Sequence, residues 1–315
     1  MRKAILRTIL FLIILIIFIL LTLSGTDTII KDKAYISIKP NSKFIVLGHS
    51  HPQLSLNDSL ITNFSNCAAG GEGFFYTYFK VKEIIEQNNN IEVVFIEFSN
   101  NQIIEKMDDW TWGKENLSTR YPLYAPFLEF KDHMLLFEKN SIGFCNALSL
   151  SLNKNFNTII FNNYNFSELR IGYMKKEGSK LDSLMKVYKN KGRFEKYKSN
   201  ISLVNIKYLK KIIKVCQDNN KKVFIIRCPI TKISKVLQNE KIYRKYLATT
   251  CKISKIEFLD FINFPLKNSE FYDTEHLNSK GAVKFSKWFN ELLIDGFLNR
   301  PHKQKYIDEK IYLLH

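Results

Sequence analysis

Five short apolar runs alternate with segments of helical periodicity along this chain, and that alternation restricts the possible folds more than any other feature. Phe44-Ile45-Val46-Leu47, a weaker stretch around Ile61 to Cys67, Ile91 to Phe98, Val223 to Ile226 and Ile256 to Phe261 have the length and apolar content of strands buried on both faces. Between them lie amphipathic patterns. Phe75, Tyr78, Phe79, Ile84 and Ile85 follow a turn with Gly70, Gly71 and Gly73. Val204, Tyr208, Ile212 and Cys216 precede the fourth run, and Ala282, Phe285, Trp288, Phe289 and Leu292 recur three and four apart after Ser279. The order predicts an α/β fold with a parallel five-stranded sheet covered by helices on both faces.

The alternation fails between about residues 101 and 200, where helical patches such as His133 to Phe137 sit among polar, aromatic-rich stretches including Asp108-Asp109-Trp110-Thr111-Trp112. This reads as an inserted helical or irregular lobe. It either shapes a substrate site as a lid or packs its aromatics onto the sheet. The domain expected around the sheet covers 43–297, with 298–315 as a C-terminal tail.

Ile9 to Leu23 is almost uninterrupted Ile, Leu and Phe, and with Ala4 to Thr8 it approaches the roughly 20 residues that cross a bilayer as helix. Residues 1–25 are therefore an anchor or a signal, the latter offering small residues around Thr22-Leu23-Ser24 for cleavage. Arg2, Lys3 and Arg7 place the N-terminus in the cytoplasm and the rest of the chain outside it. Residues 26–42 read as a short polar tether.

Lys and Arg outnumber Asp and Glu by 47 to 30, a formal charge of +17, which suits acidic lipid head groups or anionic glycopolymers, or else a lysine-rich solvated surface. No nucleic-acid motif accompanies it, so nucleic acid is not expected as a partner. Cys67, Cys145, Cys216, Cys228 and Cys251 are widely spaced and form no C-x-x-C pair; they read as small buried residues rather than a disulfide framework.

In open parallel sheets ligands bind beyond the carboxyl ends of the strands. Gly48-His49-Ser50-His51 follows the first strand, Asn66 to Gly71 the second and Ser99-Asn100-Asn101 the third, while Asp273-Thr274-Glu275-His276 lies beyond the fifth. A serine hydroxyl is a poor nucleophile until a base takes its proton. His276 can serve as that base, and Asp273 can fix the imidazole tautomer. The N–H groups of Ser50 and Gly71, with the Asn100 amide, would hold the tetrahedral oxyanion. His49, Gly70 and Asn101 would line the site.

In this order the blocks resemble those of the SGNH, or GDSL-like, hydrolases. Gly48-His49-Ser50 resembles the nucleophile block, Asn66 to Gly71 the glycine block, Asn100 the asparagine block, and Asp273-x-x-His276 the terminal block. The resemblance implies a flavodoxin-like three-layer fold and a serine esterase or acyltransferase that needs no cofactor. Two departures stand out: His49 replaces the family's Asp, and Phe98 replaces the Gly two residues before Asn100, which makes Asn101 its rival as donor. One membrane span followed by such a domain also resembles, in architecture, the D-alanine-transfer protein of teichoic-acid modification and the acetyltransferases of exported polysaccharides. That likeness implies transfer of a small acyl group such as acetyl to or from a surface glycan, with a membrane-bound acyl donor as partner.

Two other readings come from different classes. A chain that kept the fold without turnover would be a binding or assembly protein of envelope polysaccharide. Gly-His-Ser-His also resembles a closing motif of calcineurin-like metallophosphoesterases. Those enzymes collect ligands upstream, where this chain has only a tether and a span, so no metal is expected.

Overall fold

The computed structural model describes residues 1–190 and 200–314. In chain order its first half has α1 (Arg2–Lys33), β1 (Phe44–Leu47), α2 (Ser50–Ser55), β2 (Phe64–Asn66), α3 (Phe74–Gln87) and β3 (Val93–Glu97). The insertion supplies α4 (Asp109–Trp112), α5 (Lys114–Tyr124), α6 (Phe130–Lys139), α7 (Ser141–Ile160) and α8 (Leu181–Asn190). Then come α9 (Leu203–Asp218), β4 (Lys222–Arg227), α10 (Glu240–Ser254), β5 (Glu257–Asp260), α11 (Ser279–Ile294) and α12 (Lys303–Tyr312). The chain divides into two compact units, Met1–Tyr35 with Thr111–Phe166, and Ile36–Trp110 with Ser167–His315.

The second unit is the α/β body. Its five strands are all parallel, in the order β2-β1-β3-β4-β5, so the sheet reverses direction of growth between β1 and β3. Side chains alternate across each strand. Val46, Phe64, Phe95, Phe224 and Leu259 point to one face, where they pack with Phe285, Trp288, Phe289 and Leu292 of α11. On the opposite face α3 meets α9 through Phe75 and Tyr208, ring centroids 4.9 Å apart. Of the stripe expected for α9, Tyr208, Ile212 and Cys216 are buried and Val204 is half-buried, and all five residues expected for α11 are buried.

The C-terminal residues depart from the tail expected over 298–315. They form α12, whose Ile307 and Ile311 are buried in the same cluster as α11. Cys216 and Cys228 are buried as expected, whereas Cys145 is exposed and Cys251 half-buried; all five cysteines are free thiols.

The first unit joins the N-terminal helix to α5, α6 and α7. As a single helix long and apolar enough to cross a membrane, α1 exposes its side chains over most of its first two-thirds. Its last turns are different. Leu23, Thr26 and Ile30 are buried, and Asn155 of α7 donates to Thr26 Oγ1 at 3.0 Å and Asp27 Oδ1 at 2.7 Å. The tether expected from residue 26 is thus helical through Lys33, because an apolar and hydrogen-bonded face continues into it.

Candidate active site

The sheet's reversal point lies between β1 and β3, the place where ligands bind in open parallel sheets. At the end of β1, Gly48 has φ 148°, and a Cβ there would lie 2.7 Å from Glu97 Cβ. Only glycine lets the end of β1 run this close to the end of β3. The chain then turns at His49 into α2, whose first residue is Ser50.

Ser50 Oγ lies 2.7 Å from His276 Nε2, across 226 positions of sequence. On the other side of the ring, His276 Nδ1 stands 2.9 Å from Asp273 Oδ2 and 3.0 Å from Oδ1. A carboxylate only accepts, so Nδ1 carries the proton and Nε2 offers its lone pair to the serine hydroxyl. Burial would raise the Asp273 pKa, but the His276 ring and the backbone N–H groups of Glu275 and His276 outweigh it and hold the carboxyl below its usual range. Asp273 therefore fixes both the loop and the tautomer, in the arrangement a Ser-His-Asp triad requires.

The glycine block is brought to the same place. A Cβ on Gly70 would lie 3.7 Å from Ser50 Cβ, and the Gly70 N–H donates to Gln53 Oε1 at 2.9 Å. Gly71 turns the chain in the left-handed region at φ 65°. Among the described residues, the N–H groups of Ser50 and Gly71 meet no acceptor.

Both ends of the Asn100 side-chain amide already have partners. Its Oδ1 accepts from Arg227 Nη1 at 3.0 Å, while Nδ2 donates to Glu240 Oε2 at 2.6 Å and Asn239 Oδ1 at 3.2 Å. Arg227 is itself buried and paired with Asp260 and Glu240, so the amide completes a charge cluster at the ends of β4 and β5. Asn101 has a different partner: its Oδ1 accepts from Ser99 Oγ at 2.8 Å, the hydroxyl that also lies 3.1 Å from His49 Nε2, and among the described residues its Nδ2 has no partner.

Beside Ser50 and His276 lies a buried polar layer. His49 is closer to the chemistry than a wall residue, with Nδ1 3.2 Å from Ser50 Oγ and Nε2 3.1 Å from Ser99 Oγ and 3.2 Å from Glu97 Oε2. Trp110 stands over the same ring, centroids 5.2 Å apart. His51 sits between two carboxylates, 3.2 Å from Glu97 Oε1 and 3.8 Å from Glu275 Oε2, and its ring centroid is 5.4 Å from that of His276. Burial pushes His49 down to about 3, so it is neutral. Burial also pulls His51 down, but Glu275 and Glu97 outweigh it and lift it to about 9, so it is an imidazolium at neutral pH. Burial would raise Glu97; the imidazoles of His49 and His51 outweigh that and keep it ionised.

His49, His51 and Glu97 present ligand atoms within 4.8 Å of one another, close enough to hold a metal ion. The same three groups also form a self-consistent ion pair, because His51 already supplies the positive charge that a buried Glu97 needs. Glu97, Ser99, Gln53 and Glu275 were not singled out from the sequence. Glu97 carried a signal: an acidic residue inside the apolar run IEVVFIEF must find a partner if that run is a buried strand.

No curated protein matches this sequence. One protein-family model matches residues 154–298, under half of the chain. Among solved structures, the chain is similar to a Bacteroides fragilis protein provisionally described as an acylhydrolase, at 11% identity and a TM-score of 0.35, over 85% of this chain and 93% of that one. It is similar to a Bacteroides thetaiotaomicron GDSL-like lipase at 10% identity and the same TM-score of 0.35, over 84% of this chain and 94% of that one.

Proposed function

We propose that this chain is a membrane-anchored serine acyl hydrolase or acyltransferase of the SGNH type, exposed outside the cytoplasm and acting on a small acyl ester, such as acetyl, of a surface or exported glycan. The observation that carries the reading is the continuous path from Ser50 Oγ through His276 to Asp273, with hydrogen bonds of 2.7 and 2.9 Å. Burial, acceptor geometry and tautomer all agree along it.

In the proposed reaction Ser50 attacks the ester carbonyl while His276 Nε2 takes its proton. The imidazolium then gives that proton to the departing alcohol as the C–O bond breaks, leaving an acyl-serine. Water or a sugar hydroxyl repeats the sequence in reverse: His276 takes its proton, its oxygen attacks the acyl carbon, and Ser50 leaves protonated. The N–H groups of Ser50 and Gly71 and the Asn101 amide hold the oxyanion.

The deciding experiment is turnover of short-chain aryl esters by the full chain in neutral detergent, with and without an oligosaccharide acceptor. Acyl-sugar product identifies a transferase and free acid an esterase. No turnover of any acyl donor by a folded chain overturns the reading in favour of a binding role.

The two asparagines separate cleanly. Asn101→Ala is expected to lower kcat by about 10²-fold, the usual cost of one oxyanion donor. Asn100→Ala is expected to leave kcat within about threefold but to lower stability by about 1–3 kcal/mol, since the Arg227 cluster loses a buried partner. Steady-state kinetics and thermal melts on both variants check this. Equal kcat losses would return Asn100 to the site.

A further inference from the structure

Residues 172–180 form a strap stitched to both sides of the triad. Gly172 N donates to Ala68 O at 3.2 Å and Met174 N to Gln53 O at 3.0 Å, tying the strap's start to the glycine block and to the helix that carries Ser50. At its far end Lys180 N donates to Tyr272 O at 2.6 Å, one residue before Asp273. In between, Ser279 N donates to Lys176 O at 2.7 Å and Asn278 Nδ2 to Gly178 O at 2.9 Å. The strap therefore runs beside the loop that carries Asp273 and His276, whose side chains are partly exposed.

The charges along this strap do not cancel. Glu177, the strap's one acidic residue, is taken by Lys175 at 2.6 Å and by the Ser279 hydroxyl at 2.7 Å. Lys176 and Lys180 instead place their ammonium groups over the Tyr272 ring, 4.7 and 5.3 Å from its centroid. An aromatic face fixes a cation without neutralising it. Of the nearby acids, Glu275 is committed to His51 and Ser234, and Asp273 pairs with His276 while also attracting Lys180 from beyond ion-pair distance. Among the described residues, neither lysine has a carboxylate at ion-pair distance.

We propose that Lys176 and Lys180 form an anion subsite at the mouth of the triad, so that the preferred ester belongs to an acidic glycan bearing carboxylate or phosphate groups. This rests on the acyl-transfer reading above and narrows its substrate class. The lysines bind and touch no reacting atom, so their effect belongs in KM rather than kcat.

The test uses the full chain in neutral detergent with three probes: a neutral aryl acetate, an acetylated oligouronide, and the same oligouronide with its carboxylates methyl-esterified. Wild type is expected to favour the free uronide over its methyl ester by about tenfold in kcat/KM, a preference screened away by high salt. Lys176→Gln with Lys180→Gln brings that ratio close to one through KM, with aryl acetate turnover unchanged. The charge-reversed pair Lys176→Glu with Lys180→Glu favours the methyl ester. A ratio that is the same in wild type and both variants overturns the subsite while aryl acetate turnover upholds the acyl-transfer reading. Loss of aryl acetate turnover in wild type itself overturns that reading and the subsite with it.

Discussion

Ser50→Ala is expected to lower ester turnover by a factor on the order of 10⁴ to 10⁶ and to abolish labelling by a fluorophosphonate, with little change in thermal stability. The hydroxyl is half-buried and makes its contacts to His276 and His49 rather than to the backbone, so its removal takes away the nucleophile and little packing. Asp273→Asn is expected to cost about 10⁴-fold in kcat for a different reason, since an amide can donate to His276 Nδ1 and so leave the proton on the nitrogen that faces Ser50. Comparing the two variants by active-site labelling and steady-state rates separates loss of the nucleophile from loss of the tautomer. Equal labelling of wild type and the Ser50 variant would remove Ser50 from the chemistry.

Much of this site was legible because strand-end loops in a parallel sheet converge whatever their separation in sequence. Phe44 to Leu47 and Ile91 to Phe98 announced their strands by apolar content, and the residues that followed them were bound to meet. What each side chain does on arrival was less legible. Asn100 and Asn101 are adjacent and chemically identical, yet one is captured by Arg227, 127 positions away, and the other pairs with Ser99. No local pattern encodes that choice.

The same limit explains the helix α12. Its two buried residues, Ile307 and Ile311, lie four apart within a charged segment with Tyr306 packed beside them, and such a sparse stripe is visible only once the core it covers is in place. The insertion misled in the opposite direction. Its irregular sequence read as one lobe over 101–200, whereas 111–166 form a compact unit with the N-terminal helix and the strap at 172–180 belongs to the α/β body.

The buried layer beside Ser50 and His276 sets the strongest pH dependence expected of this fold. His51 titrates near its ordinary 6.5 when unfolded and near 9 when folded. Its stabilising contribution is therefore complete below 6.5 and is lost as pH rises from 6.5 through about 9, where the folded state gives up the proton. His49 has the opposite sign: folded near 3 and unfolded near 6.5, it makes the unfolded state the better proton binder in that window, so stability also falls as pH drops below 6.5. Chemical denaturation across pH 4 to 10 should show a maximum near the ordinary histidine value, with an alkaline decline of about 3 kcal/mol. His51→Gln removes that alkaline decline and costs about 3–5 kcal/mol at pH 6.5, because Glu97 is left as a buried carboxylate without its cation. Restoring neutrality with His51→Gln and Glu97→Gln together recovers part of that loss, which a purely steric effect of the glutamine would not allow. An alkaline limb identical in wild type and His51→Gln would show that the imidazolium is not held between Glu97 and Glu275.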